Sequence, residues 1–220
     1  MNWLRLLLIP LLLCLGAGLG YTLLVMPSET GELQKMVADN LALSGVSNPV
    51  TAVLLNFRGY DTFLEMVVLL IALVGVYSLE VKTSRPEPKP GPILDTFARI
   101  LVPLLILVAG YLLWVGAHAP GGAFQAGSVL GAAAVVMTLI GYRVHPRFSG
   151  LPLRLLLVAG SATFLLVTLS TLISGRMMLQ FPPDQAKNLI LLIETMATIS
   201  IGVTLASLFL GNRPAQSEED

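Results

Sequence analysis

The sequence predicts an all-α, polytopic integral membrane protein with six transmembrane helices and one short re-entrant or interfacial helix. Three observations carry this expectation. Of 220 residues, 55% are hydrophobic and only 12% are charged, against about 25% charged in a soluble domain. Mean hydropathy is +0.82. The apolar residues fall into six runs close to the ~20 residues that span a bilayer as helix. None shows the apolar-out, polar-in alternation of a membrane barrel strand. A folded chain needs a wet surface, so this deficit of charge makes lipid the solvent for much of the molecule.

The elements follow in order. Residues 3–25 open like a secretory signal, with Arg5, an apolar stretch and small residues. The apolar run continues through Tyr21-Thr22-Leu23-Leu24-Val25, so the expectation is an uncleaved first span. Leu13 is too bulky for lipoprotein processing at Cys14. Residues 28–47 are polar and belong outside the lipid. In 48–57, NPVTAVLLNF, Pro49 after Asn48 marks a helix start. This segment is too short to span, which suits a re-entrant or interfacial helix. The second span is 62–79. Residues 82–92, KTSRPEPKPGP, hold four prolines and read as a semi-rigid linker. The remaining spans are 93–116, with a kink expected at Pro103, then 121–142, 152–173 and 186–210. The polar tail, 213–220, is expected to be disordered.

Basic residues set the orientation. With the N-terminus in the cytoplasm, Arg5, Lys82, Arg85, Lys89, Arg99, Arg143, Arg147, Arg154 and Arg213 lie inside. Lys35, Arg58, Arg176 and Lys187 lie outside. Nine against four favours both termini inside.

Composition also excludes. Zero net charge gives no argument for nucleic acid. One cysteine rules out an internal disulfide and a cysteine-rich metal site. With two histidines and no HExxH, CxxC or P-loop pattern, no metal centre, cofactor or catalytic residue is expected. The expectation is a protein that is not an enzyme.

Polar residues inside apolar runs are the candidates for function. NFRGYDTFLEM places Arg58, Asp61 and Glu65 at the mouth of the second span. Asp61 suits an N-cap. Glu65 lies one turn further in, on the same face. It reads either as a carboxylate reaching the interface or as one handling a proton or cation. Glu194 has five apolar residues before it and lies roughly 12 Å into its helix, counting ~1.5 Å per residue. A charge there costs about 2.5–3.5 kcal/mol on insertion scales, so it should face protein or water. It is either a structural carboxylate or part of a path. In GAHAPGGAFQAGSVLG, Pro120, Gly121 and Gly122 make a tight corner. Gly127 and Gly131 form a small-residue face that calls for a neighbouring helix. His118 at the corner is an anchor or a relay. Gln125, one turn further on, suits a hydrogen bond across an interface. Asp95 and Arg99 pair at i,i+4 as an interfacial anchor.

Two stretches carry a resemblance. HAPGGAFQAG resembles the H-x-x-P-G-G-G-F-x-G-G signature of the B-type subunits of multisubunit Na+/H+ antiporters of the Mrp or Mnh type. Pro120, Gly121, Gly122, Phe124 and Gly127 match it, and His118 matches with one residue dropped from the spacer. Ala123 and Ala126 stand in for glycines. GVSNPVTAVLLNFRGYDTFLEM resembles the C-terminal segment of the A-type subunits of the same antiporters. That segment also occurs as a small separate subunit in membrane-bound hydrogenases. Asn48, Val50, Thr51, Ala52, Phe57, Arg58, Gly59, Asp61, Thr62 and Glu65 match; Asn56 replaces an Asp and Leu64 a Gly. Residues 1–81 then form a two-helix A-type unit, 82–92 a linker, 93–212 a four-helix B-type unit and 213–220 a tail.

The resemblance implies an accessory membrane subunit of a multisubunit cation/proton antiporter. It would sit in a prokaryotic inner membrane against large antiporter-like subunits and help form a Na+/H+ path. Glu65, Asp61, Arg58, Glu194 and His118 are the path candidates. Transported Na+ and H+ would be its only ligands. The alternatives are a membrane-arm subunit of a complex I-related redox complex, such as a membrane-bound hydrogenase, and a pure scaffold.

Overall fold

The computed structural model describes residues 2–25, 31–78, 91–141 and 150–211. The proline-rich linker apart from Gly91 and Pro92, the 142–149 connection and the tail lie outside them. The described residues contain helices and turns and no strand. They divide into two compact units, 1–38 and 39–220. The first holds α1, Asn2–Val25, and most of α2, Gly31–Asn40. Side chains of α1 from Ile9 onward are almost all exposed, as lipid-facing residues would be. The polar α2 was not expected within residues 28–47; Glu32 in its first turn suits the helix dipole.

The second unit opens with a 3-10 turn, Leu41–Leu43. Then comes α3, Pro49–Ala52, continued by one π-helical turn, Val53–Phe57. Asn48 caps α3, its Oδ1 accepting from the Val50 N–H at 3.0 Å. The wider turn leaves Leu54 O for the Thr62 hydroxyl, which donates to it at 2.6 Å. Four long helices follow or flank: α4, Gly59–Ser78, α5, Pro92–Val115, α7, Leu151–Ile173, and α8, Ala186–Leu210. Each is long and apolar enough to cross a membrane. Between α5 and α7 stands α6, Ala123–Leu139, with 17 residues. It is shorter than expected because Gly122 at φ 102° begins it and Gly141 at φ 88° lies just beyond its end.

Helix α8 is central. It packs against α4, α6 and α7, and α5 packs on α6. Its inward residues Ile190, Ile193, Ala197 and Ile201 are fully buried. The small residues explain how the helices approach. A Cβ on Gly127 would lie 2.9 Å from Ile201 Cβ and 3.1 Å from Thr198 O. One on Gly131 would lie 3.0 Å from Gly202 O. The face that seemed to await a neighbour therefore meets α8 of the same chain. Helix α4 starts at Gly59, three residues earlier than expected, where the glycine lies against Leu179 and Phe164. Phe63 and Phe164 stack at 5.7 Å between ring centres.

The starts of α4, α6 and α8 and the ends of α5 and α7 meet at one end of this unit. Ser47 and Asn48 bond to Ala117, Gly59 touches Leu179, and Gly45 touches Ala186.

Candidate functional site

The site is built where two chain segments far apart in sequence lock together. Residues 47–51 grip the corner between α5 and α6. The Ser47 and Asn48 N–H groups both donate to Ala117 O at 3.1 Å. Asn48 Nδ2 donates to Gly116 O at 3.0 Å and to Ala119 O at 2.8 Å. The Thr51 hydroxyl donates to Gly116 O. Carbonyls at a helix end lack intrahelical partners, and a buried one without a partner is costly. These donors meet that need. Ser47 Oγ also lies 3.0 Å from His118 Nδ1.

The corner bends through Pro120 and Gly121, and the Gly122 N–H closes back on Leu112 O at 2.9 Å. Helix α6 then starts with no side-chain cap of its own. Glu194 of α8 takes that place. Its carboxylate lies at the backbone N–H of Ala123. Its Oε1 is 2.9 Å from where a Cβ on Gly122 would stand. The positive end of a helix favours an anion there. Glu194 is 3% exposed, and its Oε2 has no hydrogen-bond partner.

Glu194 borders two cavities. The larger, about 270 Å³, has Thr51, Thr62, Glu65, Gln125 and Glu194 as its polar lining, with Phe124 and Met66 among the apolar wall. Glu65 and Gln125 are exposed at its rim, whereas Thr51, Thr62 and Glu194 are buried. The smaller, about 60 Å³, runs from His118 and Lys187 down to Ile190 and Glu194. Seven residues, roughly 10 Å at ~1.5 Å each, separate Lys187 from Glu194 along α8.

The candidates from the sequence thus divide. Glu65 and Glu194 face one cavity, and His118 joins Glu194 in the other. Arg58 and Asp61 form an ion pair with each other on the exposed surface. Asp61 lies inside the first turn of α4 rather than before it, since the helix begins at Gly59. Asp95 and Arg99 pair at 2.8 Å, Arg99 exposed and Asp95 half-buried. Among the described residues no three metal-ligating side chains converge. Sequence reasoning missed Ser47 and Lys187, and it saw Thr51 and Thr62 only as parts of a motif. Asn48 was visible as a cap. The two amide hydrogens it spends on a corner some 70 positions away had no local signal.

Several apolar helices packed around a buried carboxylate define a multi-pass helical membrane protein. Residues 93–212 match the family model described as a domain related to the MnhB subunit of Na+/H+ antiporter. The chain belongs to that family. A second family model, MbhE, described as the E-type subunit of MBH, matches residues 4–90. Over 85 residues the chain is 34% identical to the A-type subunit of the Na+/H+ antiporter of Bacillus subtilis, covering 36% of this chain and 11% of that protein. Among solved structures, a chain of the membrane-bound sulfane sulfur reductase, an archaeal respiratory membrane complex, superposes with a TM-score of 0.66 at 26% identity. That match covers 94% of this chain and 97% of the other. A chain of the Mrp complex from Dietzia sp. shares the fold, with a TM-score of 0.65 at 24% identity. It covers 98% of this chain and 26% of that one.

Proposed function

We propose that the chain is an accessory membrane subunit of a multisubunit Na+/H+ antiporter, packing against large antiporter-like subunits and helping to form the ion path. One observation carries the path: Glu65 and Glu194, carboxylates on different helices, line the same cavity. A buried charge between apolar helices is costly and marks a conducting or proton-handling position more often than a structural one. Family membership supports the complex to which it belongs. The chain has no reaction of its own in this reading, and it needs no cofactor.

The same reading gives it six spans, with α1 and α6 added to the four long helices, and both termini in the cytoplasm of a prokaryotic cell. The end that gathers residues 44–59, 116–122 and 179–187 then faces outward. The helix at 49–57 lies re-entrant or at the interface there. Residues 1–81 act as an A-type unit and 93–212 as a B-type unit, joined by the linker and followed by the tail. Arg58 and Asp61, paired at the start of α4, form an outer polar mouth one turn from Glu65.

A second reading draws on the respiratory complex, whose matched chain is covered almost end to end. Here the same protein would serve a redox-driven membrane arm, with electron chemistry in its partners. Affinity purification from the native membrane separates the two. The antiporter reading expects large antiporter-like subunits, no iron–sulfur absorbance, and Na+-dependent ΔpH in vesicles. Co-purifying iron–sulfur subunits would overturn it in favour of the redox arm.

A further inference from the structure

We infer that Glu194 is one carboxylate served by two mouths of opposite electrostatic character, the Glu65 cavity admitting a monovalent cation and the His118–Lys187 pocket passing the proton. This rests on the antiport reading above and assigns the two ions to separate routes.

The larger cavity is lined by acceptors. The Thr51 hydroxyl spends its proton on Gly116 O and the Thr62 hydroxyl spends its proton on Leu54 O. A hydroxyl has one proton and two lone pairs, so each has only lone pairs left to offer. Glu65 and Glu194 add carboxylates to the lining, and one oxygen of the buried Glu194 has no hydrogen-bond partner. Gln125 contributes the only side-chain N–H groups among the polar lining. A lining of this kind suits a hard cation with oxygen ligands. Among the described residues no third metal-ligating side chain joins these two carboxylates, which matches a monovalent ion better than a divalent one.

The smaller pocket has the reverse character. Lys187 places a fixed positive charge at its rim, and His118 stands beside it. Like charge opposes a metal cation entering there. At about 60 Å³ it holds only a few waters. A proton needs no more than that, since it passes along hydrogen-bonded waters to or from an imidazole. The charged and titratable groups facing Glu194 are therefore Glu65 from α4, His118 from the corner and Lys187 from α8 itself.

The exchange balances. The carboxyl O–H bond of protonated Glu194 breaks, and the proton leaves by the small pocket toward water. One monovalent cation takes its place from the large cavity. Oε1 stays at the start of α6 throughout, so the fold keeps its anchor.

The test uses the whole complex in inverted membrane vesicles, with Na+ added and ΔpH read by a dye. Half-saturating Na+ and the pH profile are measured separately, with complex yield checked. Glu65→Asp should raise half-saturating Na+ several-fold and leave the pH profile in place. His118→Gln and Lys187→Gln should shift the pH profile and leave half-saturating Na+ unchanged. His118→Asn serves if the Gln variant assembles poorly. If the His118 and Lys187 variants change half-saturating Na+ as Glu65→Asp does, or change neither quantity, the two-mouth inference falls while the path reading stands. If Glu65→Gln and Glu194→Gln both assemble and run at wild-type rate, the path reading itself falls.

Discussion

Glu194 Oε1 stands 2.9 Å from the point where a Cβ on Gly122 would be, so the glycine and the carboxylate occupy one space between them. Gly122 also holds φ 102° and ψ −173°, a region open essentially to glycine alone. Two independent costs therefore meet at one substitution. Gly122→Ala should destabilise the protein by about 1–3 kcal/mol from backbone strain, and push the carboxylate off the α6 terminus besides. Thermal unfolding in detergent reads the first cost. The second appears as non-additivity: Gly122→Ala should cost less in a Glu194→Ala background, where the side chain it collides with is gone. Strict additivity would mean that the contact carries no energy.

Asn48 has two jobs that one pair of variants separates. As a cap it uses Oδ1 toward the Val50 N–H. As a clamp it uses Nδ2 toward Gly116 O and Ala119 O. Asn48→Asp keeps the acceptor, removes both donors and sets a carboxylate against two carbonyls. If capping dominates, Asp should be nearly silent and Ala should cost about 0.5–2 kcal/mol. The geometry predicts the opposite order. Asp should be the worse of the two: both variants take the amide donor from Ala119 O, a loss of about 1–3 kcal/mol for a buried carbonyl, and only Asp adds a carboxylate repelled by the carbonyl oxygens of Gly116 and Ala119. Unfolding midpoints of the two variants against wild type decide it.

These two residues show how much was legible beforehand. Gly122 and the Pro120 corner stood out in the sequence because Pro120-Gly121-Gly122 makes a tight turn between two apolar runs. Glu194 stood out because a carboxylate is rare inside such a run. The six apolar runs gave the helices, and the charge pattern gave an orientation. The sequence did not show what the corner is for. A glycine is a space left for something, and the something sits more than 70 positions away on α8. The small face at Gly127 and Gly131 was legible as a packing face, but its neighbour was not; the pattern is the same whether the approaching backbone is in this chain or another. The start of α4 was misplaced because Gly59, a helix breaker by propensity, is retained in the helix where it packs tightly against Leu179.

The intrachain contact of α6 with α8 gives a third expectation. Gly127→Ala already places Cβ within 2.9 Å of Ile201 and should lower stability by about 1–3 kcal/mol, as overpacking does. Gly127→Leu should abolish folded protein before any partner is met. Gly110→Ala is the control. Nothing lies within 4 Å of a Cβ there, so it should be neutral or gain up to about 1 kcal/mol of helix propensity. Size-exclusion profiles of the isolated chain in detergent report the difference. Well-folded Gly127→Leu that fails only to join its complex would place this face outside the chain.

Topology is open to a direct check. Reporter fusions at Ser44, Lys89, His145 and Asp220 should map outside, inside, inside and inside. The Ser44 fusion probes the end where α4, α6 and α8 begin. An outside signal at Lys89 would reverse α4 and α5, and with them the side from which both cavities open.

The carboxylates themselves give the sharpest contrast, because Glu65 and Glu194 differ in what else they do. Glu65 sits at an exposed rim and, among the described residues, takes part in no hydrogen bond or ion pair. Nothing structural depends on it, so Glu65→Gln should assemble at wild-type yield and still lose Na+-dependent antiport, while Glu65→Asp keeps part of it. Glu194 also anchors the start of α6, so its variants carry two effects. Gln retains an oxygen for the Ala123 N–H but gives up the negative charge at the helix start, worth about 0.3–1 kcal/mol and up to ~2 when partly buried. Glu194→Gln should therefore lower stability modestly and antiport severely, out of proportion to each other. Glu194→Asp keeps the charge but withdraws it by one methylene from the α6 terminus, so it should recover some transport without restoring full stability. The measurements are complex yield, unfolding midpoint and initial ΔpH rate on the same preparations. Transport that falls only in step with yield, at both positions, would make the two carboxylates structural and move the ion path to the partner subunits.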